Sequence, residues 1–383
     1  MHPQIFTDQK TGRLVPVSGD PGLTHAFIPD PLPPPWTWPE RLWPLLLDAH
    51  TALARLEGIE KYLPNPQLLL HPLQNREAQR SSKIEGTITD PQQQALFQVD
   101  PKSPTSKDDP ANAFQEVFNY SRALRFQLEH QETLPLSLRL IRQLHGVLMD
   151  GVRGSDQNPG QFRRVQNQIG HPATYVPPPI NALHECLDAF EKYLHAEHAL
   201  NPLVEAFVVH YQFEAIHPFG DGNGRVGRLL LALTIAEWCQ LSKQWLYMSA
   251  YFDRNKDLYN DLMLRVSTHG DWEAWIEFCL KGVLEEANQT QRRCDQLLAL
   301  HRAFHEKVNK LSGSIRLSSI IDDLFETPIV VVQRLSKKHD ITYPTARADL
   351  KKLEAAGIVE LIAGAPQISY FCPEILNITY ADA

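Results

Sequence analysis

His217, Asp221, Arg225 and Arg228 fall within twelve residues of one another, in His217-Pro218-Phe219-Gly220-Asp221-Gly222-Asn223-Gly224-Arg225-Val226-Gly227-Arg228. An imidazole titrates near neutral pH and can accept a proton. A carboxylate can hold a hard divalent cation, and glycines let backbone N–H groups come close to a phosphate. Two guanidiniums can each grip phosphate oxygens in a fork. Taken together, these residues read as a nucleotide site. Each also has a plainer use: Asp221 as a helix N-cap, Gly222 and Gly224 as turn residues, His217 as a solvated helix end, the arginines as surface charges. Those separate uses do not explain why all of them coincide. No G-x-x-x-x-G-K-[ST] phosphate loop occurs in the chain, and GDGNG follows a helical period rather than a strand.

Two helices must position this cluster. Leu203, Phe207, Val208, Tyr211 and Ala215 repeat at helical spacing, and Pro218 stops that helix just after His217. Leu229, Leu230, Leu233, Ala236 and Trp238 begin a second apolar helix. Asp221 to Gly224 then mark its start, where unpaired N–H groups and the positive end of the helix dipole favour a phosphate. Arg225 and Arg228 are three apart and share one face.

HPFGDGNGRVGR resembles the signature of the Fic (filamentation induced by cAMP) domain, HPFx(D/E)GNGRxxR, and matches all nine of its specified positions. The resemblance implies a mainly α fold, a Fic helical core with a short β-hairpin flap. It also implies an adenylyltransferase that moves AMP from ATP to a Ser, Thr or Tyr hydroxyl of a target protein and releases pyrophosphate. His217 is then the general base and Asp221 the Mg²⁺ ligand. The backbone at Gly222, Asn223 and Gly224 cradles the phosphates, while Arg225 clamps the inner ones and Arg228 the outermost.

Arg80-Ser81-Ser82-Lys83-Ile84-Glu85-Gly86-Thr87 resembles the inhibitory motif of the same family, (S/T)xxxE(G/N), at Ser81, Glu85 and Gly86. The resemblance implies a pairing of Glu85 with Arg228, which withholds that arginine from the γ-phosphate. The residues alone also allow Glu85 to be an ordinary helix residue ahead of a Gly86 cap. Gln166 to Pro179, with Ile169, Gly170 and His171 at its turn, looks like the family's flap, which would take a target peptide by strand addition. Tyr251, Asn255 and Tyr259 fall at i, i+4 and i+8 of an expected helix. They either line an adenine pocket, with Asn255 and Tyr259 as nucleotide contacts, or pack in the core.

At 383 residues and 43% hydrophobic content the chain can bury a large core. Its net charge of −8 gives no global nucleic-acid footprint. The five cysteines form no C-x-x-C pair, which argues against a disulfide framework or zinc ribbon. No apolar signal core opens the chain and no apolar run is long enough to span a bilayer, so a cytoplasmic, membrane-free protein is expected. Leu45–Leu63 and Leu68–Lys83 read as helices. The proline-rich stretch near 30–39 reads as extended and packed by its tryptophans. Leu317–Phe325, Ile329–His339 and Thr345–Ala356 read as three short helices, followed by a hairpin of 358–362 and 367–371. That succession resembles a winged helix-turn-helix.

Three regions are expected: an N-terminal inhibitory region (1–112), a catalytic core (113–299) and a winged-helix domain (300–383). From residue 300 onward ten Lys/Arg face ten Asp/Glu. The last domain is therefore expected to dock proteins or form a homodimer in preference to binding DNA. Two alternatives to the transferase stay open: hydrolytic removal of AMP at the same site, with Glu85 positioning water, and a winged-helix transcriptional regulator whose core only senses nucleotide.

Overall fold

A computed structural model of the chain describes all residues except 1–2, 7–10, 18–22, 60–64, 107, 131–133, 153–157, 171, 198–199, 312–314 and 382–383. It opens on an antiparallel pair, β1 (Gly12–Pro16) and β2 (His25–Pro29), with Leu14 opposite Phe27. The proline-rich segment after β2 is extended, and Trp36, Trp38 and Trp43 pack ring against ring at 5.5–5.6 Å. Helix α1 (Trp43–Glu57) buries Leu46, Ala49, Leu53 and Leu56. It ends at Glu57, with Gly58 and Ile59 in a turn, rather than at the expected Leu63. Residues 60–63 of that expectation lie outside the described part.

Helix α2 (Gln67–Ile84) carries the Ser81–Gly86 motif and is buried along most of its length. A further helix, α3 (Pro91–Val99), was not read from the sequence; Asp90 caps it by accepting the Gln93 N–H. Then come α4 (Ala111–His130), α5 (Leu138–Leu148) and α6 (Ile180–Leu194). The central pair is α7 (Pro202–Ile216) and α8 (Asn223–Trp238). The Asn201 side chain caps α7 and Pro202 sits in its first turn. Both helices are apolar on nearly every face and buried all round, which marks them as the core on which the others are laid.

Helices α9 (Ser249–Arg254) and α10 (Lys256–His269) are separate. The single helix expected across Tyr251, Asn255 and Tyr259 is broken at Asn255 (φ −117°, ψ 33°), whose side chain turns back to the Tyr251 carbonyl at 3.0 Å. Helix α11 (Trp272–Leu311) is 40 residues, about 60 Å at 1.5 Å per residue. It packs along α1 and reaches the C-terminal elements. These are α12 (Ile315–Glu326), β3 (Ile329–Val331), α13 (Val332–Lys338), α14 (Tyr343–Ala355), β4 (Glu360–Leu361), β5 (Ser369–Phe371) and α15 (Pro373–Tyr380).

The expected hairpin forms, but its β5 strand also pairs with β3, giving the order β3-β5-β4. Ile329–Val331 is therefore strand and not the start of a helix. Pro328 disfavours helix before it, and the β-branched run gains more from the sheet. The described chain is mainly helical, as expected, and no described helix is long and apolar enough to cross a membrane.

Candidate active site

His217 sits at the C-terminal end of α7 in a left-handed conformation (φ 49°, ψ 61°), which turns the chain sharply out of the helix. Its Nδ1 faces the Glu214 carbonyl at 3.3 Å. A carbonyl only accepts, so this contact assigns the proton to Nδ1 and leaves Nε2 with a free lone pair. Burial, aided by the Arg163 charge, pushes the imidazole down to about 4 against its ordinary 6.5. At neutral pH His217 is therefore uncharged and ready to accept a proton.

The loop that follows is tightly braced. The Asn223 side chain accepts the Phe219 N–H at 2.8 Å and donates to the Phe219 carbonyl at 2.9 Å, closing Phe219–Asn223 into a ring. Asn167 donates to the same carbonyl at 3.0 Å. Arg163, buried, donates to the carbonyls of His217 (3.0 Å) and Pro178 (2.5 Å). The His145 ring lies flat on Phe219, centroids 3.8 Å apart. Its Nδ1 accepts the Gly160 N–H and its Nε2 donates to the Asp221 carbonyl, so it stays neutral, with its pKa pushed by burial to about 4. Sequence reading missed His145 and gave Arg163 and Asn167 no individual role. A lone His on an amphipathic helix 76 residues upstream carries no local signal.

Gly222 takes φ 77°, a conformation that favours glycine, and leads into α8. The first N–H groups of α8, at Asn223, Gly224 and Arg225, have no acceptor within the helix and face outward from its start. The Asp221 carboxylate, half exposed, accepts the Gly222 N–H at 2.6 Å and lies 3.8 Å from Arg225 Nη2. A single open carboxylate beside a phosphate turn fits a cation that keeps most of its coordination for water and phosphate oxygens, as Mg²⁺ does. Arg225 is buried; Nη1 lies 3.5 Å from Glu116, and the buried Nε has no hydrogen-bond partner within the protein. That donor fits a phosphate oxygen.

Arg228 is also buried, and its donors are engaged: Nε with Ser81 Oγ (2.9 Å), Nη2 with the Ser81 carbonyl (3.0 Å) and with Glu85 Oε1 (2.7 Å). The expected pair is thus present over 143 residues of chain. Burial disfavours charge on Glu85, yet Arg228 overrides it and holds the carboxyl below the ordinary range. Glu85 stands where α2 ends, and Gly86 follows at φ 89°. The two sequence readings therefore coexist, since the helix-ending residue is also the arginine's partner. A Cβ built on Gly224 would collide with Glu85 Oε1. The carboxylate therefore rests directly on the glycine turn, against the first turn of α8.

Tyr259 is not at an open pocket wall. Its hydroxyl meets His210 Nε2 at 2.9 Å, its ring stacks on Phe252 at 4.4 Å, and it backs Arg228 from the interior. Tyr251 packs on Phe278, and Asn255 is spent on the α9–α10 break. Tyr251 and Tyr259 are thus packed in the core, while Asn255 between them is half-buried. Glu214, also missed, lies half-buried beside Gly227, and desolvation pushes its carboxyl up to about 8. It is therefore protonated at neutral pH and adds no charge against phosphate.

At the flap, Ile169 and Tyr175 exchange backbone hydrogen bonds of 2.9 and 3.3 Å around Gly170 (φ 84°). His171 lies outside the described residues. Beside this hairpin runs a cavity of about 410 Å³ lined by Ile169, Thr174, Tyr175, Glu214, Ala215 and Leu264. The flap, His217 and the α8 turn thus meet through the Glu214–His217 segment.

Residues 43–129 match the model of the Fic/DOC family N-terminal segment, and residues 135–235 match that of the Fic/DOC family. A protein of Drosophila virilis named protein adenylyltransferase Fic is 37% identical over 105 residues, 26% of this chain and 20% of that protein. Its Drosophila melanogaster namesake is 34% identical over 105 residues, with the same shares. The matched stretch spans about a fifth of these relatives' length. A solved structure of a Fic family protein from Desulfovibrio desulfuricans G20 superposes with a TM-score of 0.58 at 21% identity, covering 89% of this chain and 98% of that one. This last likeness is one of fold.

Proposed function

Over residues 43–129 and 135–235 the chain belongs to the Fic/DOC family, and from that premise we propose that it transfers AMP from ATP to a hydroxyl of a protein. The observation that carries the proposal is a neutral His217 at the left-handed end of α7, on the same loop as the glycine turn and buried arginines of α8. In the step, the hydroxyl oxygen forms a bond to the α-phosphorus and the bond from that phosphorus to the bridging oxygen breaks. His217 Nε2 takes the hydroxyl proton and pyrophosphate leaves with the bonding pair. Arg225 and the α8 N–H groups hold the phosphates. Asp221 would hold Mg²⁺, which would supply charge neutralisation at the phosphates.

Glu85 is proposed as a lock. While it holds Arg228 and rests on Gly224, that arginine is not available to a γ-phosphate. The Glu85 side chain is 39% exposed whereas that of Arg228 is 2% exposed, so the carboxylate can swing out to water while the guanidinium stays buried and needs another partner, which a phosphate can supply. The lock is then reversible rather than permanent. The same exposed carboxylate over the phosphate turn favours a second reading, in which it orients a water that attacks the phosphorus of an AMP-modified side chain and releases AMP.

Incubation of a lysate and the purified protein with labelled ATP, followed by mass spectrometry, is the test. An AMP adduct that appears with wild type and is absent with His217→Ala supports transfer. Label that only disappears from pre-modified protein supports removal, and no change in either direction with wild type or with Glu85→Gly leaves a nucleotide sensor and sinks both. Residues 300–383 are proposed as a docking or dimerising module. Arg347, Lys351 and Lys352 are exposed on α14, but the balanced charge of this region does not favour DNA.

A further inference from the structure

Near the far end of α11, His301 and His305 lie one turn apart on a single face, and Asp322 of α12 meets both. His301 Nε2 is 2.7 Å from Asp322 Oδ1, His305 Nε2 is 3.1 Å from the same oxygen, and the two Nε2 atoms are 3.1 Å apart. Ring protons alone cannot satisfy this triangle around an aspartate oxygen that only accepts. If both rings carry Nε2–H to reach the carboxylate, two N–H groups collide. If only one does, the other ring turns a lone pair on the aspartate oxygen. A cation satisfies all three atoms at once. A point about 1 Å out of their plane lies ~2.0 Å from each, the usual zinc–nitrogen and zinc–oxygen length.

We propose that His301, His305 and Asp322 form a site for a divalent transition metal of the zinc class. Two imidazoles and one carboxylate select such a metal over Mg²⁺ or Ca²⁺, which prefer oxygen alone. The rings are held in place: His301 stands edge-on to buried Phe325 with centroids 5.1 Å apart, and the His301 and His305 rings lie 4.4 Å apart. The three side chains are 21%, 25% and 49% exposed, so a metal can enter from solvent and keep water in its fourth position. Bound there, it ties α12 to α11. Since α12 also packs on α2, the metal supports the seat of the helix that ends in Glu85. The site stands apart from the nucleotide site and does not depend on the proposed activity.

The test is zinc and cobalt binding to the full chain, stripped with chelator and held in excess Mg²⁺. Wild type should retain about one equivalent of Zn²⁺ after dialysis and raise its melting midpoint on metal addition. Cobalt should give the intense visible absorption of a four-coordinate ion. His305→Gln and Asp322→Asn, chosen to keep side-chain volume and checked by circular dichroism, should each weaken binding at least tenfold and abolish the midpoint shift. Absence of stoichiometric binding by wild type overturns the proposal. Equal binding by wild type and either folded variant overturns it too.

Discussion

At the scale of single residues, protonation decides what the cluster can do. His217 is pushed down to about 4 by burial, so it is neutral above that pH and loses its basicity only below it. The acid limb of the kcat/KM profile for AMP transfer should therefore fall near pH 4; a half-loss near 6.5 would show an imidazole exposed to water during turnover. His217→Ala should lower the rate by about 10²–10⁴ and leave ATP affinity, measured by calorimetry, within a few-fold. Glu85 and Arg228 make the second residue-scale case. Glu85→Gly should raise protein labelling at least several-fold with saturating ATP, because the freed guanidinium can align the polyphosphate. Arg228→Ala added to it should cancel the gain, so the two changes must be non-additive. Equal labelling by wild type and Glu85→Gly would place control elsewhere.

At the scale of elements, the loop between α7 and α8 holds its shape through side chains bonded to its own backbone. Asn223 bonds both the N–H and the carbonyl of Phe219, while His145 and Arg163 fix the adjoining backbone. Asn223→Ala should destabilise the fold by about 1–3 kcal/mol in urea titrations, since it leaves two buried polar groups less satisfied. It should also lower kcat more than ATP affinity, because the displaced groups are those that aim His217. A variant with wild-type stability and rate would mean that the Phe219–Asn223 ring is dispensable.

At the scale of the whole molecule, α2 is gripped from two sides. Helices α4 and α9 hold one, with Arg80 and Lys83 both paired to Asp253; α12 and α15 of the C-terminal elements hold another. Truncation after about residue 299 should therefore do more than change partner choice. Amide exchange across residues 67–84 should quicken and labelling from ATP should rise, as Glu85 loses a fixed seat. Unchanged exchange in α2 would show that the body alone positions it.

The signature residues, the Ser81–Gly86 motif, the helical character of the chain and the C-terminal hairpin were legible in the sequence, because they depend on local spacing and on patterns that one helix or turn can express. The Glu85–Arg228 contact was legible only through family resemblance. The geometry then showed that Gly224 is what lets the carboxylate lie against α8. Other features were settled only in three dimensions. Ile329–Val331 looked helical until a strand 40 residues on offered it hydrogen bonds, and the sequence left Tyr259 between pocket and core until the fold placed its hydroxyl on His210. His145, Glu214 and the His301–His305–Asp322 cluster gave no usable signal, since burial and the meeting of distant side chains are properties of the packed chain. Sequence specifies which groups are available and on which face of a helix they stand. Only the tertiary structure decides which are desolvated, which are paired, and so which carry charge.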